Sequence, residues 1–222
     1  MSTTLTRVPL DLTKSGTRRK LASEQVMHAV VAAATNAGTE RRALWRIDGE
    51  GAERTLYIVS PDVPDTKHLA QELLVNEDAI DSRSYQPLLD AVTSGQEFRF
   101  RLRANPIINK YREERNQRSA RVPIVGLEAQ LGWLERQADR YGFELARSRM
   151  GQPEVLVHDQ ENMQFSKQNG RTVTIRAIVF DGILRVTDAE LFRSALVSGI
   201  GPAKAYGCGL LTLAPVDTST DG

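Results

Sequence analysis

Two rounds of the same strand and helix signals run through the 222 residues of this chain, and that repetition narrows the possible folds more than any other feature. The first round opens with Leu5–Leu10, a short strand in which Pro9 is tolerated only near an edge or end. A helical pattern spans Arg18 to about Asn36, with Gly38 as its stop. Ala43–Ile47 and Arg54–Ser60 read as strands joined by the turn Asp48-Gly49-Glu50-Gly51, and Pro61 and Pro64 close that hairpin. Thr66–Val75 is a second helix with Leu69 and Leu73 on one face, followed by a weak strand over Ile80–Tyr85.

The second round repeats this order. Phe98–Leu102 is a strand whose pairing Arg121–Val125 continues after a basic loop. Gly126–Tyr141 is the clearest helix, with Leu127, Leu131, Leu134, Ala138 and Tyr141 in one stripe. Phe143–Arg147 and Arg171–Phe180 are strands around a polar stretch, and Asp181-Gly182 signals a hairpin that Ile183–Val186 answers. Asp188 caps a helix reaching Val197, and a Gly-rich loop and Leu210–Leu213 end the round. Twice β-α-β-β-α-β predicts an α+β architecture of two tandem ferredoxin-like domains, the layout also of RNA-recognition modules. The expected division is 1–95 and 96–216, with 217–222 a frayed tail.

Composition removes several classes. The single cysteine, Cys208, leaves no disulfide framework and no Cys-rich metal module, and it suits a reducing cytoplasm. His28, His68 and His158 are scattered without a metal-binding motif, so neither a metal nor another cofactor is expected. The apolar run Val30–Ala34 is far shorter than the roughly 20 residues of a membrane span, and the opening residues do not read as a secretory leader. A cytoplasmic protein away from membranes is the expectation. The net charge of +1 hides an asymmetry. Residues 1–97 hold 11 Lys and Arg against 14 Asp and Glu, whereas residues 98–222 hold 18 against 14. Basic stripes attract polyanions even when the total is near zero.

In the strand Phe98-Arg99-Phe100-Arg101-Leu102-Arg103, alternation sends the apolar residues to the core and the three arginines to the opposite face. Lys110, Arg112, Arg115, Arg118 and Arg121 follow, diluted by Glu113 and Glu114. Arginine outnumbers lysine here, as phosphate recognition favours, so nucleic-acid contact is expected in this region rather than a merely solvated face. The stretch Gly199-Ile200-Gly201-Pro202-Ala203-Lys204-Ala205-Tyr206-Gly207-Cys208-Gly209 lacks both nucleotide-loop spacings and runs from helix to strand, the reverse of such loops. Its glycines would let the backbone approach a partner closely, with N–H groups and Lys204 available to phosphates; a tight turn needing positive φ accounts for one or two glycines more easily than for four. His28 falls on the polar side of the first helix at about 100° per residue, opposite Val26, Met27, Val30, Val31 and Ala34. Ala29 and Ala32 leave room beside the imidazole, but helical geometry alone makes it a surface histidine.

Phe100-Arg101-Leu102-Arg103-Ala104-Asn105-Pro106, Arg121-Val122-Pro123, Trp133-Leu134, Gly199 to Lys204, Gly207-Cys208-Gly209-Leu210-Leu211 and Leu213-Ala214-Pro215 resemble the CasE family. Its members are CRISPR repeat-processing endoribonucleases of type I-E systems and subunits of Cascade. The likeness is dense from about 98 to 216 and thin before it. It implies tandem ferredoxin-like domains and metal-independent cleavage of precursor transcripts at the base of each repeat hairpin, by attack of a 2′-OH on its neighbouring phosphate. It also implies that the enzyme keeps the hairpin of the mature guide RNA among the other Cascade subunits.

In that family a first-helix histidine is implicated, often with a tyrosine three residues before it. His28 matches the histidine, and the resemblance makes it the expected catalytic residue. Gln25 stands at the tyrosine's position and cannot perform its acid–base role, which leaves the second proton-transfer group unassigned. Arg18, Arg19 and Lys20, at the start of the same helix, are expected to help hold the scissile strand. The stretch from Arg147 and Arg149 through Lys167 to Arg171 looks like the hairpin that the family inserts into the RNA stem groove. Lys204 joins it beside Gly199, Gly201, Gly207 and Gly209, and Arg101, Arg103 and Lys110 complete the expected RNA contacts. The alternative is a non-catalytic hairpin-binding assembly subunit; a third reading is a protein-interaction scaffold.

Overall fold

The structure, a computed structural model, describes residues 3–35, 42–110, 120–166 and 172–216. Its first part runs β1 (Thr4–Asp11), α1 (Ser15–Leu21), α2 (Glu24–Thr35), β2 (Leu44–Asp48), β3 (Glu53–Ser60), α3 (Thr66–Leu73), β4 (Asp81–Ser84) and α4 (Gln86–Ala91). The four strands pair antiparallel in the order β2-β3-β1-β4. The second part runs β5 (Glu97–Ala104), β6 (Ile107–Lys110), β7 (Ala120–Pro123), α5 (Leu127–Arg140), β8 (Phe143–Leu145), β9 (Val155–Ser166), β10 (Thr172–Val186), α6 (Ala189–Ser198) and β11 (Leu211–Pro215). Its main sheet is ordered β11-β5-β10-β8, with β9 added along β10. Both sheets therefore share one ferredoxin-like strand order, traced in opposite directions.

Several local expectations change. The expected first helix is two helices, because the Ser23 carbonyl accepts from the Met27 N–H at 3.0 Å and restarts the helix after Ala22. Arg121–Val125 does not extend the main sheet; β7 pairs with β6 in a separate two-stranded ribbon. On α5 the buried stripe is Gln130, Trp133, Leu134 and Ala138, and Leu127 is 59% exposed. Gln130 is tolerated there because its amide nitrogen donates to the Ile124 carbonyl.

Asp181-Gly182 makes no turn: β10 runs straight through it. A Cβ at position 182 would lie 2.5 Å from the Glu154 carbonyl oxygen, so this glycine marks close strand packing rather than a reversal. Instead β9 pairs antiparallel along β10, so much of the polar stretch is strand, and His158 lies inside β9.

Phe98, Phe100, Leu102, Phe180 and Leu184 form a core under Trp133 and Leu134 of α5 and Phe192 and Leu196 of α6. Leu44, Val59, Tyr85 and Leu89 belong to that same core, so the two sheets are packed together. A second core gathers Val8, Leu56 and Ile58 against Met27 and Val30 of α2 and Leu69 and Leu73 of α3. Strand β2 serves both, since alternation sends Leu44 to the shared core and Trp45 to the other.

Arg46, next along β2, is 1% exposed. Its Nε and Nη2 donate to Asp48 at 2.7 and 2.6 Å, its Nη1 to the carbonyls of Arg101 and Leu210, both at 2.8 Å, and its Nη2 also to the Thr212 hydroxyl at 2.7 Å. One guanidinium thus ties the edge strand β2 to β5 and β11 of the other sheet.

Candidate functional site

Met27, Val30, Val31 and Ala34 of α2 are buried as the periodicity predicts, while Val26 is 41% exposed. His28 stands on the exposed side, where the Gly-rich loop crosses from the second sheet. A 3₁₀ turn, Lys204–Tyr206, brings the Tyr206 ring to 6.2 Å from the His28 imidazole, centroid to centroid, at 53° between planes. Partial burial, helped by the charge of Arg42, lowers the His28 pKa from its ordinary 6.5 and favours neutral imidazole. Lys204 is lowered likewise, by burial first and then by Arg140 and Arg42, and its Nζ donates to the Ser198 carbonyl at 2.6 Å. Arg42 and Lys204, with Arg193, line a neighbouring cleft of about 700 Å³ formed by the end of β3, α4 and α6, whose lining does not include His28 or Tyr206.

The glycines make this juxtaposition possible. Gly199, Gly201, Gly207 and Gly209 all have positive φ. At Gly207 a Cβ would lie 2.9 Å from the Trp45 ring, and at Gly199 it would lie 2.7 Å from Leu44. The partner that the backbone approaches so closely is β2 of the same chain.

The expected basic residues separate into different settings. Arg18, Arg19 and Lys20 lie on α1, not on the helix of His28. Arg18 donates to the carbonyls of Leu12 and Thr13, Arg19 is exposed, and Lys20 is paired with Glu72 of α3. The arginine comb is not a free cationic face. Arg101 forms a two-pronged ion pair with Asp181 at 2.7 and 2.6 Å. Burial alone would raise the Asp181 pKa, but hydrogen bonds from Arg101 and His158 bring it below the usual carboxylate value. His158 lies 2.9 Å from Asp181 and 3.0 Å from Asp159. Arg103 reaches Glu161 at 2.7 Å and the carbonyls of Tyr206 and Gly207.

Arg147 and Arg149 sit in the turn before β9, outside the hairpin proper, with Arg147 held by Glu135 and the Gly151 carbonyl. Arg149 is exposed. Lys110 ends β6, and its side chain lies outside the described residues, as do Lys167 and Arg171 entirely. Among the described residues, no group of three or more His, Cys, Asp and Glu could hold a metal ion.

Sequence reasoning missed Arg42, Tyr206 and Arg46. Tyr206 sat within a stretch singled out for its glycines, but nothing local tied it to α2. Arg42 had only its proximity to a strand start, and Arg46 read as an ordinary polar position in a strand.

Two ferredoxin-like sheets meeting at a seam that carries an imidazole, a phenol and several cations define the class of this protein. The chain belongs to the CRISPR associated protein family, whose family model matches residues 4–215. The CRISPR-associated endoribonuclease Cse3 of Thermus thermophilus is 29% identical over 220 residues, covering 95% of this chain and 99% of that protein. The CRISPR system Cascade subunit CasE of Escherichia coli K12 is 32% identical over 123 residues, covering 53% of this chain and 57% of that one. Thermus thermophilus Cse3 bound to an RNA representing a pre-cleavage complex matches with a TM-score of 0.77 at 28% identity, over 97% of this chain and 100% of that one. The expected tandem ferredoxin-like fold and the expected family both hold.

Proposed function

We propose that this chain is a metal-independent endoribonuclease that cuts CRISPR precursor transcripts within each repeat, at the base of the hairpin, and then retains the mature guide's hairpin within Cascade in the cytoplasm. The observation that carries this reading is an imidazole biased toward its neutral form, facing Tyr206 of the Gly-rich loop and within the field of Arg42. The relative named an endoribonuclease aligns with nearly the whole chain, and its matching structure holds RNA. The division of labour follows the proposed units. Residues 1–95 supply His28 on α2; residues 96–216 supply the loop and the β9–β10 hairpin that grips the stem.

The reaction needs a base for the 2′-OH, in-line geometry, positive charge near the phosphorane-like state and a proton for the departing 5′-oxygen. Neutral imidazole suits the first step, and the Arg42 and Lys204 cations suit the third. Gln25, on the α2 flank that faces His68 and Glu72 of α3, offers no titratable proton.

Incubating the purified chain with labelled repeat RNA in EDTA tests the proposal. Cleavage at one position, leaving a 5′-hydroxyl and a cyclic or linear 3′-phosphate, is the expected result. A shifted but intact RNA would leave a binding subunit in its place, and no shift at all would remove RNA as the ligand.

The ion pairs bear on which of the expected phosphate contacts to test first. Lys204→Ala is expected to lower the slope of log affinity against log salt by about 1, the signature of one lost phosphate contact. Arg101→Ala is expected to leave that slope unchanged and to lower the melting temperature instead, because its charge is already spent on Asp181. The opposite pattern in a salt titration would return the RNA to the arginine face of β5.

A further inference from the structure

We infer that Tyr206 is the general acid of the cleavage, giving its phenolic proton to the leaving 5′-oxygen while His28 takes the proton of the attacking 2′-hydroxyl. The inference rests on the proposed ribonuclease activity and adds the group that this activity otherwise lacks.

The geometry is of the right scale. An in-line displacement places the attacking and leaving oxygens on opposite sides of phosphorus, so the two proton transfers occur at two separate oxygens. Two proton-transfer groups must flank that pair, each within about 2.6–3.2 Å of its oxygen. The His28 and Tyr206 rings lie side by side, 6.2 Å apart from centroid to centroid at 53° between planes, so a phosphodiester lying across their shared rim can meet both side chains at once.

The two groups also differ in chemistry: His28 is shifted toward the neutral, accepting form, and Tyr206 carries a hydroxyl that can donate. Lys204, two residues earlier, has its ammonium engaged as a donor to the Ser198 carbonyl.

The turn that presents Tyr206 is held from several sides. Its carbonyl accepts from Arg103 Nη1 at 3.1 Å, and Arg103 is in turn fixed by Glu161 of β9. Its N–H donates to the Ala203 carbonyl at 2.9 Å, with Ala203 at φ +66, a conformation that a non-glycine residue adopts only under constraint. Cys208 and Met163, both buried, back the ring from below. A side chain so supported is oriented before substrate arrives.

The step balances without a co-reactant. The 2′-oxygen forms its bond to phosphorus as its proton passes to His28. The phosphorus–5′-oxygen bond breaks as Tyr206 protonates the departing oxygen. The products are a 2′,3′-cyclic phosphate and a 5′-hydroxyl, and solvent exchange returns a proton from imidazolium to phenolate.

The test uses two repeat RNAs that differ only at the cut, one with the natural bridging 5′-oxygen and one with sulfur in its place. A thiolate is a far weaker base than an alkoxide and leaves without being protonated. Tyr206→Phe, which keeps the ring, is expected to slow cleavage of the oxygen substrate by roughly 10²–10⁴-fold and to cleave the sulfur substrate at close to the wild-type rate. His28→Ala should be slow on both. Equal slowing of Tyr206→Phe on both substrates would reduce Tyr206 to a structural role, and wild-type cleavage of the oxygen substrate by Tyr206→Phe would remove it from the chemistry. If the wild-type chain cut neither RNA, the ribonuclease reading itself would fall, a result distinct from either of these.

Discussion

His28→Ala is expected to slow cleavage of repeat RNA by roughly 10²–10⁴-fold, the usual contribution of one positioned acid or base, while hairpin affinity hardly changes. The imidazole is a small part of any contact surface, and the buried side of α2 is built from Met27, Val30, Val31 and Ala34 rather than from His28. On the proposed mechanism, the same residue is expected to set the acid limb of the pH profile. A base must be neutral to work, and burial together with Arg42 lowers the His28 pKa from 6.5. The kcat/KM of the free enzyme should therefore climb as pH rises through a value below 6.5 and be level by neutrality. Arg42→Ala removes one of the two causes, so its midpoint should move upward toward 6.5. A wild-type rate in His28→Ala would assign the proton transfer to another residue. An acid limb centred above 6.5 would assign it to a group that the protein holds in its charged form.

Local signals made much of the fold legible. The alternation in Phe98–Arg103 gave β5 its buried face, and Asp188 caps α6 by accepting from the N–H groups of Glu190 and Leu191. What failed depended on partners distant in sequence. The three arginines of β5 read as a cationic comb because Asp181 and Glu161, 80 and 58 residues from Arg101 and Arg103, cannot be placed beside them without the sheet register. Asp181-Gly182 read as a turn because the crowding by Glu154 that requires glycine lies across the strand.

The candidate site divides in the same way. His28 was legible through its resemblance to a family position, whereas its helix pattern alone made it a surface residue. Tyr206 was not legible at all, since the contact between the Gly-rich loop and α2 exists only once the two sheets have packed.

That packing is also where the largest loss of stability is expected. Arg46→Ala should cost about 3–5 kcal/mol, the range found when one partner of a buried ion pair is removed, and lower the melting temperature by about 10 °C for a chain of this size. The reason is the set of acceptors left behind. Asp48 loses both of its short bonds, the Arg101 and Leu210 carbonyls lose a donor, and the Thr212 hydroxyl loses one as well. Arg46→Lys should recover little, because an ammonium has three donors and no planar fork to span Asp48, β5 and β11 together. Replacing Arg46 with Met and Asp48 with Leu at once removes the stranded carboxylate as well and should recover part of the loss. Thermal unfolding decides the matter: a shift under about 2 °C for Arg46→Ala would mean that the apolar contacts of Leu44 and Val59 alone hold the sheets together. If the guanidinium does hold them, cleavage by Arg46→Ala should fall more steeply on warming than hairpin binding does. On the proposed division of labour, binding would rest mainly on the second sheet and its hairpin, whereas cleavage would also need α2 of the first unit to keep His28 facing a loop carried by the second.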